Sequence, residues 1–528
     1  MRVALATAVA VALATVPAAA GGAANPDATL AKRGLDRSVQ IGALQPEDAD
    51  SYRAEIDRAV GVLAKLGGAR AANLAGVLHD VALQWRAYSA PRALTLFSML
   101  AKNTTFFGNR AAPAGRMDIA DAYGVVYRFF PGHGFQFHPL ANAGALNSAV
   151  VSKDPDRTVP LADALLERAT SGPGGALRWE YEFAYGGGKP PWTSGMAQAV
   201  MAQAFARSAA LTGNPAYTET ARGAFRAIPG ALVRQLPSGA WIRLYSFDSA
   251  AVLNAQLQSA ISVGDYAAAT GDADAAALAS SLQASAEALL PRFDTGYWSL
   301  YSLGGGESPL EYHVYVVSLL KKLAQRNPTD PAWVEAAARF QLYLTEPPVL
   351  RAGAPPPTVF PRPADGYRDG APISFSLSKI SRVTVSAGGR STTLTLTRGN
   401  HTLTWSPGSL RPGSYPARLT AVDLAKNRAS LDLPPIDVQW DTSPPSLDAS
   451  VTGRTLEWEA QDEGTPWLDL RVLLSRGTKR RLIALGRRPL AGKIVLRLPP
   501  GAWRGLLAGR NSAGKVARVD LGTLPARG

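Results

Sequence analysis

The sequence predicts a multidomain protein, in which an α/α toroid-like helical domain over residues 47–346 precedes two all-β, immunoglobulin-like sandwich domains. Two observations predict this. Apolar residues recur at helical spacing through the first part of the chain, and after Pro347 they recur at every second position instead. The length of 528 residues is also too great for one domain. We therefore expect a helical part and a β part, joined by a proline-rich linker over residues 347–356.

The N-terminus has the pattern of an export signal. A basic start and an apolar run over residues 3–16, too short to span a bilayer, precede an Ala-Ala-Ala cleavage pattern at 18–20. This predicts a signal peptide over residues 1–20 and a secreted protein, either extracellular or associated with the cell surface. Residues 21–46, rich in Ala, Gly and Asp, are expected to be a flexible lead-in. No later apolar run is long enough to predict a membrane span.

The composition limits the classes of partner and chemistry. The 55 Lys and Arg residues exceed the 41 Asp and Glu residues by 14, which favours an anionic partner. Export makes nucleic acid an improbable partner and leaves an anionic membrane surface or an acidic polysaccharide, between which composition cannot choose. The chain has no cysteine, so it has no disulfide, cysteine nucleophile or thiolate metal site. No Gly-x-Gly-x-x-Gly unit is present, and we expect no cofactor.

The helical part contains repeated amphipathic segments with irregular loops between them. Two or three helices are predicted between residues 48 and 99, and the alternation in YGVVYRFF (123–130) predicts a short strand. Antiparallel helices with aromatic, charged loops at alternate junctions suggest a toroid with one cleft suited to a polymer. The later predicted elements are helices at 161–169, 194–210, 217–228, 249–270, 273–290, 312–325 and 331–344, and a hairpin at 231–245.

The β part consists of short alternating strands separated by turn residues. Their regular spacing predicts one immunoglobulin-like sandwich over 357–440 and a second over 441–528. From residue 443 onward there are 15 Lys and Arg residues and 7 Asp and Glu residues, an excess of 8 positive charges. This surplus is either a solvated face or a surface that captures an acidic glycan or a cell wall. Its densest part is the predicted basic patch Lys479, Arg480, Arg481, Arg487 and Arg488.

The loop between the two helices that end near 290 and begin near 312 is unusually rich in aromatic and polar residues. It contains Trp298, Tyr301, Glu311, Tyr312 and His313. These residue types stack on sugar rings and exchange protons, whereas a simple connection would be short and polar. The alternative is that the aromatic rings plug the end of a helical bundle.

Two histidines occur close together earlier in the chain. His133 and His138 lie five residues apart beside Pro139, but no carboxylate or third histidine lies near them in the sequence. We therefore predict a sugar contact or a structural role for them and no metal site.

Four stretches of the helical part resemble the C-terminal domain of the D-glucuronyl C5-epimerases, the heparan sulfate and heparosan epimerases. They occur in the family's order and together cover roughly residues 115–345. The predicted sandwiches lie outside the resemblance. The stretches are GFQFHPLANAGALN (134–147), PWTSGMAQAVMAQAFARSAALTGNPAY (191–217), YSFDSAAVLNAQLQSAISVGDYAAATGD (245–272), and LPRFDTGYWSLYS with EYHVYVVSLL (290–302 and 311–320).

This resemblance implies C5 epimerisation of a uronate inside a polymer, with Tyr245, Tyr301 and Tyr312 as the catalytic residues. The reaction removes the proton α to a carboxylate and returns one to the opposite face, so it needs a base, an acid and donors for the carboxylate. A tyrosine base would need nearby cations to lower its pKa. The candidate donors and other substrate contacts are Arg178, Lys189, Arg243, His313, Gln136, Trp192, Gln198, Asn254, Glu311 and Trp298.

Two departures from the family pattern leave other functions open. Leu244 stands where the family has Glu, and Gly304 stands where it has Arg. The substrate could be another uronate polymer, or the cleft could bind an acidic glycan at a cell surface without catalysis. A lyase could begin with the same proton abstraction. A hydrolase would need two carboxylates about 5–9.5 Å apart, with Glu180, Glu182, Asp248, Glu307 and Glu311 as candidates.

Overall fold

In the computed structural model, which describes residues 25–356 and 358–524, the chain divides into two units between Gln341 and Leu342. The predicted signal peptide lies outside the described residues. The first unit is mainly helical. Its helices are α1 (Pro26–Gln40), α2 (Pro46–Leu63), α3 (Gly68–Leu83), α4 (Ala90–Asn109), α5 (Pro139–Val151), α6 (Pro155–Leu166), α7 (Gly195–Thr212), α8 (Pro215–Arg226), α9 (Leu253–Thr270), α10 (Ala273–Leu289), α11 (Leu310–Arg326) and α12 (Pro331–Leu342).

Short strands connect several of these helices. A three-stranded antiparallel sheet in the order β1-β2-β3 lies before α5, and two small hairpins follow later. The strand predicted in residues 123–130 and the hairpin predicted at 231–245 are both present. The strands are β1 (Asp118–Ala120), β2 (Val126–Phe130), β3 (Gly134–Phe137), β4 (Thr170–Ser171), β5 (Leu177–Arg178), β6 (Val233–Leu236) and β7 (Gly239–Ile242).

Local sequence signals set the ends of the helices. Ser194 caps α7 by accepting from the Ala197 N–H, and Asp272 caps α10 in the same way. Gly213 and Gly271 end α7 and α9 in the left-handed conformation, which glycine adopts without steric cost. Each helix predicted between residues 161 and 344 is therefore present as one of α6 to α12.

Alternate helices run parallel and form an inner layer. Thr193, before α7, is bonded to Ser246, before α9, while near their C-terminal ends Arg207 contacts Asp265. α11 runs the same way as α9, because Leu253 at the start of α9 is bonded to Tyr301, before α11, and Asp265 pairs with Arg326. α7 and α9 are buried over most of their circumference. A helical domain of inner and outer helices is thus present; closure of the toroid stays a prediction.

The predicted flexible lead-in over residues 21–46 is wrong for residues 26–40, which form α1. Asn25 caps this helix and Pro26 occupies its first turn, two signals that favour helix initiation. Ala28, Ala31 and Leu35 recur at helical spacing and are buried against neighbouring helices. The burial of this apolar face holds the segment in place.

The second unit consists of strands that form two pairs of sheets. The first pair has strand orders β13-β10-β8 and β12-β11-β14-β15-β9, and the second has β16-β17-β20 and β19-β18-β21-β22. The strands are β8 (Leu350–Ala352), β9 (Thr358–Val359), β10 (Ala371–Leu377), β11 (Ser381–Ala387), β12 (Arg390–Leu396), β13 (Gly399–Trp405), β14 (Gly413–Asp423), β15 (Arg428–Val438), β16 (Ser446–Thr452), β17 (Thr455–Gln461), β18 (Trp467–Arg476), β19 (Lys479–Pro489), β20 (Ala491–Val495), β21 (Trp503–Arg510) and β22 (Val516–Leu524).

Each pair of sheets encloses its own core. β10 and β11 alternate buried and outward side chains, as the period of two predicts, and Val385 and Trp405 lie in the first core. Leu470 and Leu507 lie in the second core. The unit is therefore β-rich with two cores, while the immunoglobulin-like topology stays a prediction.

The linker predicted over residues 347–356 is not a simple connection. Residues 350–352 form strand β8, which pairs with β10 at the edge of a sheet. The proline cluster that predicted a linker follows this strand. An edge strand leaves one side of its backbone unpaired, so it tolerates such a neighbour. Among the residues described, no helix is both long and apolar enough to cross a bilayer.

Candidate active site

A cavity of about 1060 Å³ in the helical unit is lined by one face of each of four helices. Most of the lining residues on each helix are separated by three, four or seven positions, the spacing that places side chains on one face of a helix. They include Leu140, Gly144, Asn147 and Val151 of α5, Met196, Val200, Gln203 and Arg207 of α7, Asn254, Gln258, Ile261 and Asp265 of α9, and Glu311, Tyr315, Lys322 and Arg326 of α11. Since α7, α9 and α11 are parallel, the cavity runs along them.

The three tyrosines named from the resemblance all line this cavity. The rings of Tyr301 and Tyr312 meet edge to face, with centroids 5.2 Å apart. Tyr245 lies against a different set of rings, with Trp192 at 5.0 Å and Tyr185 at 5.8 Å. The structure thus brings together phenols from the loop before α9, the loop before α11 and the first turn of α11.

Burial raises the pKa of all three phenols above the ordinary tyrosine value. Tyr312 differs from the other two, because Arg116 and Arg128 act in the opposite direction on its pKa. The expectation of a tyrosine pKa lowered by cations is therefore wrong for the protein without substrate. Removing a phenolate from water costs more here than the arginine charges return.

Three of the other predicted contacts also line the cavity, namely Trp192, Asn254 and Glu311. Trp192 stacks on Tyr181 with ring centroids 4.0 Å apart and nearly parallel planes. Asn254 and Glu311 occupy the first turns of α9 and α11. These three are at the tyrosine end of the cavity.

The predicted contacts Trp298 and His313 are core residues instead. The imidazole of His313 is fully buried, stacks on Trp298 at 3.9 Å and bonds to Ser299 Oγ at 2.7 Å and Phe340 O at 3.0 Å. Trp298 donates its indole N–H to Ser308 O at 2.8 Å. Here the alternative that aromatic rings plug the end of the bundle is the one observed.

Gln136 and Gln198 are buried and hold backbone segments together. Gln136 donates to His133 O, and Gln198 accepts from Trp179 N–H while donating to Leu177 O. A buried amide needs such partners, which explains polar residues at core positions.

The predicted cations Arg178, Arg243 and Lys189 are not among the residues that line the cavity. Arg243 donates to Asp248 O at 3.3 Å, Arg178 lies against Gly172, and Lys189 is exposed on its loop.

Two other cations, Arg116 and Arg128, line the cavity and act on the pKa of Tyr312, and the sequence did not single them out. Arg128 is held by Asp118 through Nε at 2.7 Å and Nη2 at 2.6 Å, which leaves Nη1 directed towards His138 Nε2 at 3.3 Å. This two-bond contact fixes the guanidinium. The alternation of VYRFF in β2 places Arg128 on the face opposite the buried Tyr127 and Phe129.

His138 lines the cavity as a neutral imidazole. Its Nδ1 accepts from the Ala141 N–H at 3.0 Å, as the cap of α5, and a backbone N–H can only donate. Burial, together with the charge of Arg128, lowers the pKa of His138 to about 3. The single proton of the ring therefore sits on Nε2, beside Arg128 Nη1. Two N–H donors stand together at this point of the wall.

The other histidine of the predicted pair has a different partner. His133 Nδ1 lies 2.9 Å from Asp80 Oδ2. The two histidines thus act separately, one in a buried polar contact and one at the cavity.

The acidic residues that line the described cavity are Glu311 and Asp265. They lie at opposite ends of it, because Asp265 pairs with Arg326, fifteen residues (326 − 311) after Glu311 on α11. At 1.5 Å per residue this is about 22 Å, beyond the 5–9.5 Å separation that a hydrolase needs. Glu180 and Glu182 pair with Arg92 away from the cavity, and Asp248 and Glu307 are not in its lining.

The known structures to which the chain is similar include several sugar-active proteins at low scores. A cellobiose 2-epimerase from Bacillus thermoamylovorans is 10% identical over 52% of this chain and 74% of its own, with a TM-score of 0.34. A sugar epimerase from a ruminal bacterium is 11% identical over 54% and 75%, with a TM-score of 0.33. An endo-β-1,4-glucanase from Acetobacter xylinum is 12% identical over 48% and 79%, with a TM-score of 0.32. Likenesses this weak carry no argument about activity.

A comparison with curated protein sequences finds no match. A family model described as the D-glucuronyl C5-epimerase C-terminus matches residues 174–341. The matched segment contains Tyr245, Tyr301 and Tyr312 but neither Arg128 nor His138, which precede it. Residues 174–341 of the helical unit therefore match the D-glucuronyl C5-epimerase C-terminal family, in agreement with the resemblance found in the sequence.

Proposed function

We propose that this protein is a secreted polysaccharide-modifying enzyme that epimerises uronate residues at C5 within a polymer. The observation that carries the proposal is the convergence of Tyr245, Tyr301 and Tyr312 on one cavity in a domain of the epimerase family. The substrate class is an acidic polysaccharide, because removal of the C5 proton needs the adjacent carboxylate to take up the electron pair.

In the proposed reaction, a phenolate on one wall removes the C5 proton and a phenol on the other wall returns one. Tyr312 suits the role of base, because the charges of Arg116 and Arg128 partly offset the rise that burial causes in its pKa. Tyr245, packed against Trp192 rather than Tyr301, suits the acid on the opposite face. The electron pair of the C–H bond moves into the carboxylate to give an enediolate, and reprotonation at C5 restores the carboxylate with inverted configuration.

The extra negative charge on the carboxylate oxygens needs donors that are already in place. His138 Nε2–H and Arg128 Nη1 form such a pair, and both are fixed by bonds on their far side. The N-terminal ends of the parallel helices α7, α9 and α11 lie at the same end of the cavity, and their dipoles also favour an anion. Arg116 and Arg128 would supply the charge that is lost where Gly304 replaces the family arginine.

The test is incorporation of deuterium at C5 in D2O, followed by NMR across a panel of acidic polysaccharides. We expect Tyr312→Phe and Tyr245→Phe to lower the exchange rate by at least 100-fold, the usual scale for loss of an acid or base. Tyr297→Phe is the matched control, because Tyr297 is exposed and outside the cavity lining.

Exchange that survives both substitutions at full rate would refute the tyrosine assignment. New chain ends that absorb in the ultraviolet would instead identify a lyase, which eliminates the 4-O-linked sugar after the same proton abstraction. Binding of acidic glycans with neither exchange nor cleavage would identify a non-catalytic cell-surface protein.

A further inference from the structure

Three cations and one carboxylate line the end of the cavity remote from the tyrosines. Asp265 Oδ2 accepts from Arg207 Nη2 at 2.7 Å, and its Oδ1 lies 2.8 Å from Arg326 Nη2. Lys322, one turn before Arg326 on α11, lines the same end. Counting one negative and three positive groups, this end of the cavity keeps a net charge of +2. We refer to Arg207, Lys322 and Arg326 as the distal cluster.

A hydrogen-bond network fixes part of the distal cluster. Arg207 Nη1 donates to Asn147 Oδ1 at 2.9 Å, and Gln203 donates to Asp265 at 2.6 Å. Asn147 in turn donates to Gln203 Oε1 at 3.1 Å. Both oxygens of Asp265 are thus occupied, and each arginine has further N–H groups beyond those bonds. An incoming anion meets donors whose positions are already set, which lowers the cost of binding it.

The distance along the helices separates this cluster from the catalytic end. Tyr312 and Arg326 are fourteen residues apart (326 − 312) on α11, and Asn254 and Asp265 are eleven apart (265 − 254) on α9. At 1.5 Å per residue these spans are about 21 and about 16 Å. A single sugar ring is much shorter, so a ligand that reaches both ends is an oligosaccharide.

We propose that the distal cluster is a second anion subsite, which binds a carboxylate or sulfate group on a sugar several units away from the reacting uronate in the same chain. This deepens the proposed function and rests on it for the position of the reacting sugar. The preferred substrate is then a repeating polyanion rather than a single uronate set in a neutral glycan. A long acidic chain would gain affinity from both ends of the cavity at once.

The experiment compares the wild-type protein with Lys322→Gln and with Lys322→Gln/Arg326→Gln. Calorimetric Kd values are measured for a uronate disaccharide, for a long acidic oligosaccharide, and for the same long oligosaccharide with its distal carboxyl groups reduced to alcohols. Lys321→Gln is the matched control, since Lys321 is the neighbouring exposed lysine and lies outside the cavity lining. A parallel series with sulfated and unsulfated oligosaccharides separates the two sources of the anion.

We expect the double variant to bind the long acidic oligosaccharide about tenfold more weakly, which is about 1.4 kcal/mol. Its affinity for the disaccharide and for the reduced oligosaccharide should not change. Equal losses for short and long ligands, or no loss for any ligand, would overturn the subsite. Lys322 makes no side-chain bond among those observed in the described residues, so the single variant gives a readout even if the double variant is unstable.

The two proposals fail in different ways. Tighter binding of long acidic chains through the distal cluster, without any C5 exchange, would contradict the epimerase proposal and support the subsite proposal. C5 exchange that is equally efficient on short and long substrates would contradict the subsite proposal and support the epimerase proposal.

Discussion

At the scale of single residues, the site contrasts buried phenols with pre-positioned nitrogen donors. Burial makes the phenolate unfavourable at Tyr245, Tyr301 and Tyr312, so each carries its proton at neutral pH and only a small fraction is ionised to act as a base. His138 is kept neutral by the same effect and is ready to donate from Nε2. A bound uronate between these groups would be met by acids and donors on several sides.

The raised pKa of Tyr312 predicts a pH dependence for exchange. A base whose pKa lies above 10 is almost fully protonated at pH 7. As long as the pH is below that pKa, each unit by which the pH rises increases the ionised fraction by about tenfold. We expect kcat/KM for C5 exchange to rise by nearly this factor per unit between pH 7 and pH 9. His138, with a pKa of about 3, stays neutral over this range and does not contribute.

The control replaces Tyr312 with 3-fluorotyrosine, whose phenol ionises at a lower pH. The rising limb should move to lower pH with the same slope. A rate that is flat with pH, or that falls above pH 7, would contradict Tyr312 as the base.

The three tyrosines could be named from the sequence because family motifs surround each of them. The cations could not, because Arg116, Arg128 and the distal cluster lie in segments distant along the chain, and only the folded helices bring them to one cavity. α7 shows a second reason. Its residues are apolar or small on nearly every side, so periodicity alone cannot tell which face borders the cavity. The prediction that His313 contacts substrate was wrong for a related reason, because a buried histidine and a catalytic histidine cannot be told apart in the sequence.

At the scale of elements, α1 was missed because its composition resembles a linker, with Ala, Gly and Asp throughout. Leu35 is nevertheless fully buried in the core of the helical unit. We expect Leu35→Ala to lower the free energy of unfolding by about 2–5 kcal/mol, the usual cost of a cavity in a packed core. Urea denaturation followed by circular dichroism measures this.

Arg37→Ala provides the control, since Arg37 is exposed on the same helix and its loss should change stability by less than about 0.5 kcal/mol. A cost below about 1 kcal/mol for Leu35→Ala would mean that α1 is not an integral part of the helical core.

The fold could be predicted furthest where the periodicity was clear. Helices α6 to α12 and the alternating strands β10 and β11 follow from spacing alone. The ends of the predicted linker could not be placed, because β8 is only three residues long and carries no period of its own. Its position is determined by pairing with β10, a contact between residues more than twenty positions apart.

At the scale of the whole molecule, the excess positive charge is concentrated in the second unit. Lys479, Arg480 and Arg481 lie exposed on β19. If this patch captures an acidic glycan, changing all three to Gln should lower the salt concentration that elutes the protein from an immobilised acidic polysaccharide. C5 exchange on a soluble oligosaccharide should be unaffected, because the patch lies in the other unit from the cavity.

The control set is three exposed arginines of the first pair of sheets and its connections, namely Arg382, Arg411 and Arg428. Equal shifts for both triple variants would show a response to net charge alone, through general screening by salt, and no capture surface.

If the proposed function is right, the stripes of cavity residues on α5, α7, α9 and α11 separate the selection of a substrate from its conversion. The loops before the helices and the first turn of α11 would then supply the reacting groups, while the number of helical turns would set how far a bound chain extends from them. Each additional helical turn would lengthen the cavity by about 5.4 Å. A relative with the same loops but with inner helices one turn shorter would perform the same chemistry and bind a shorter stretch of the sugar chain.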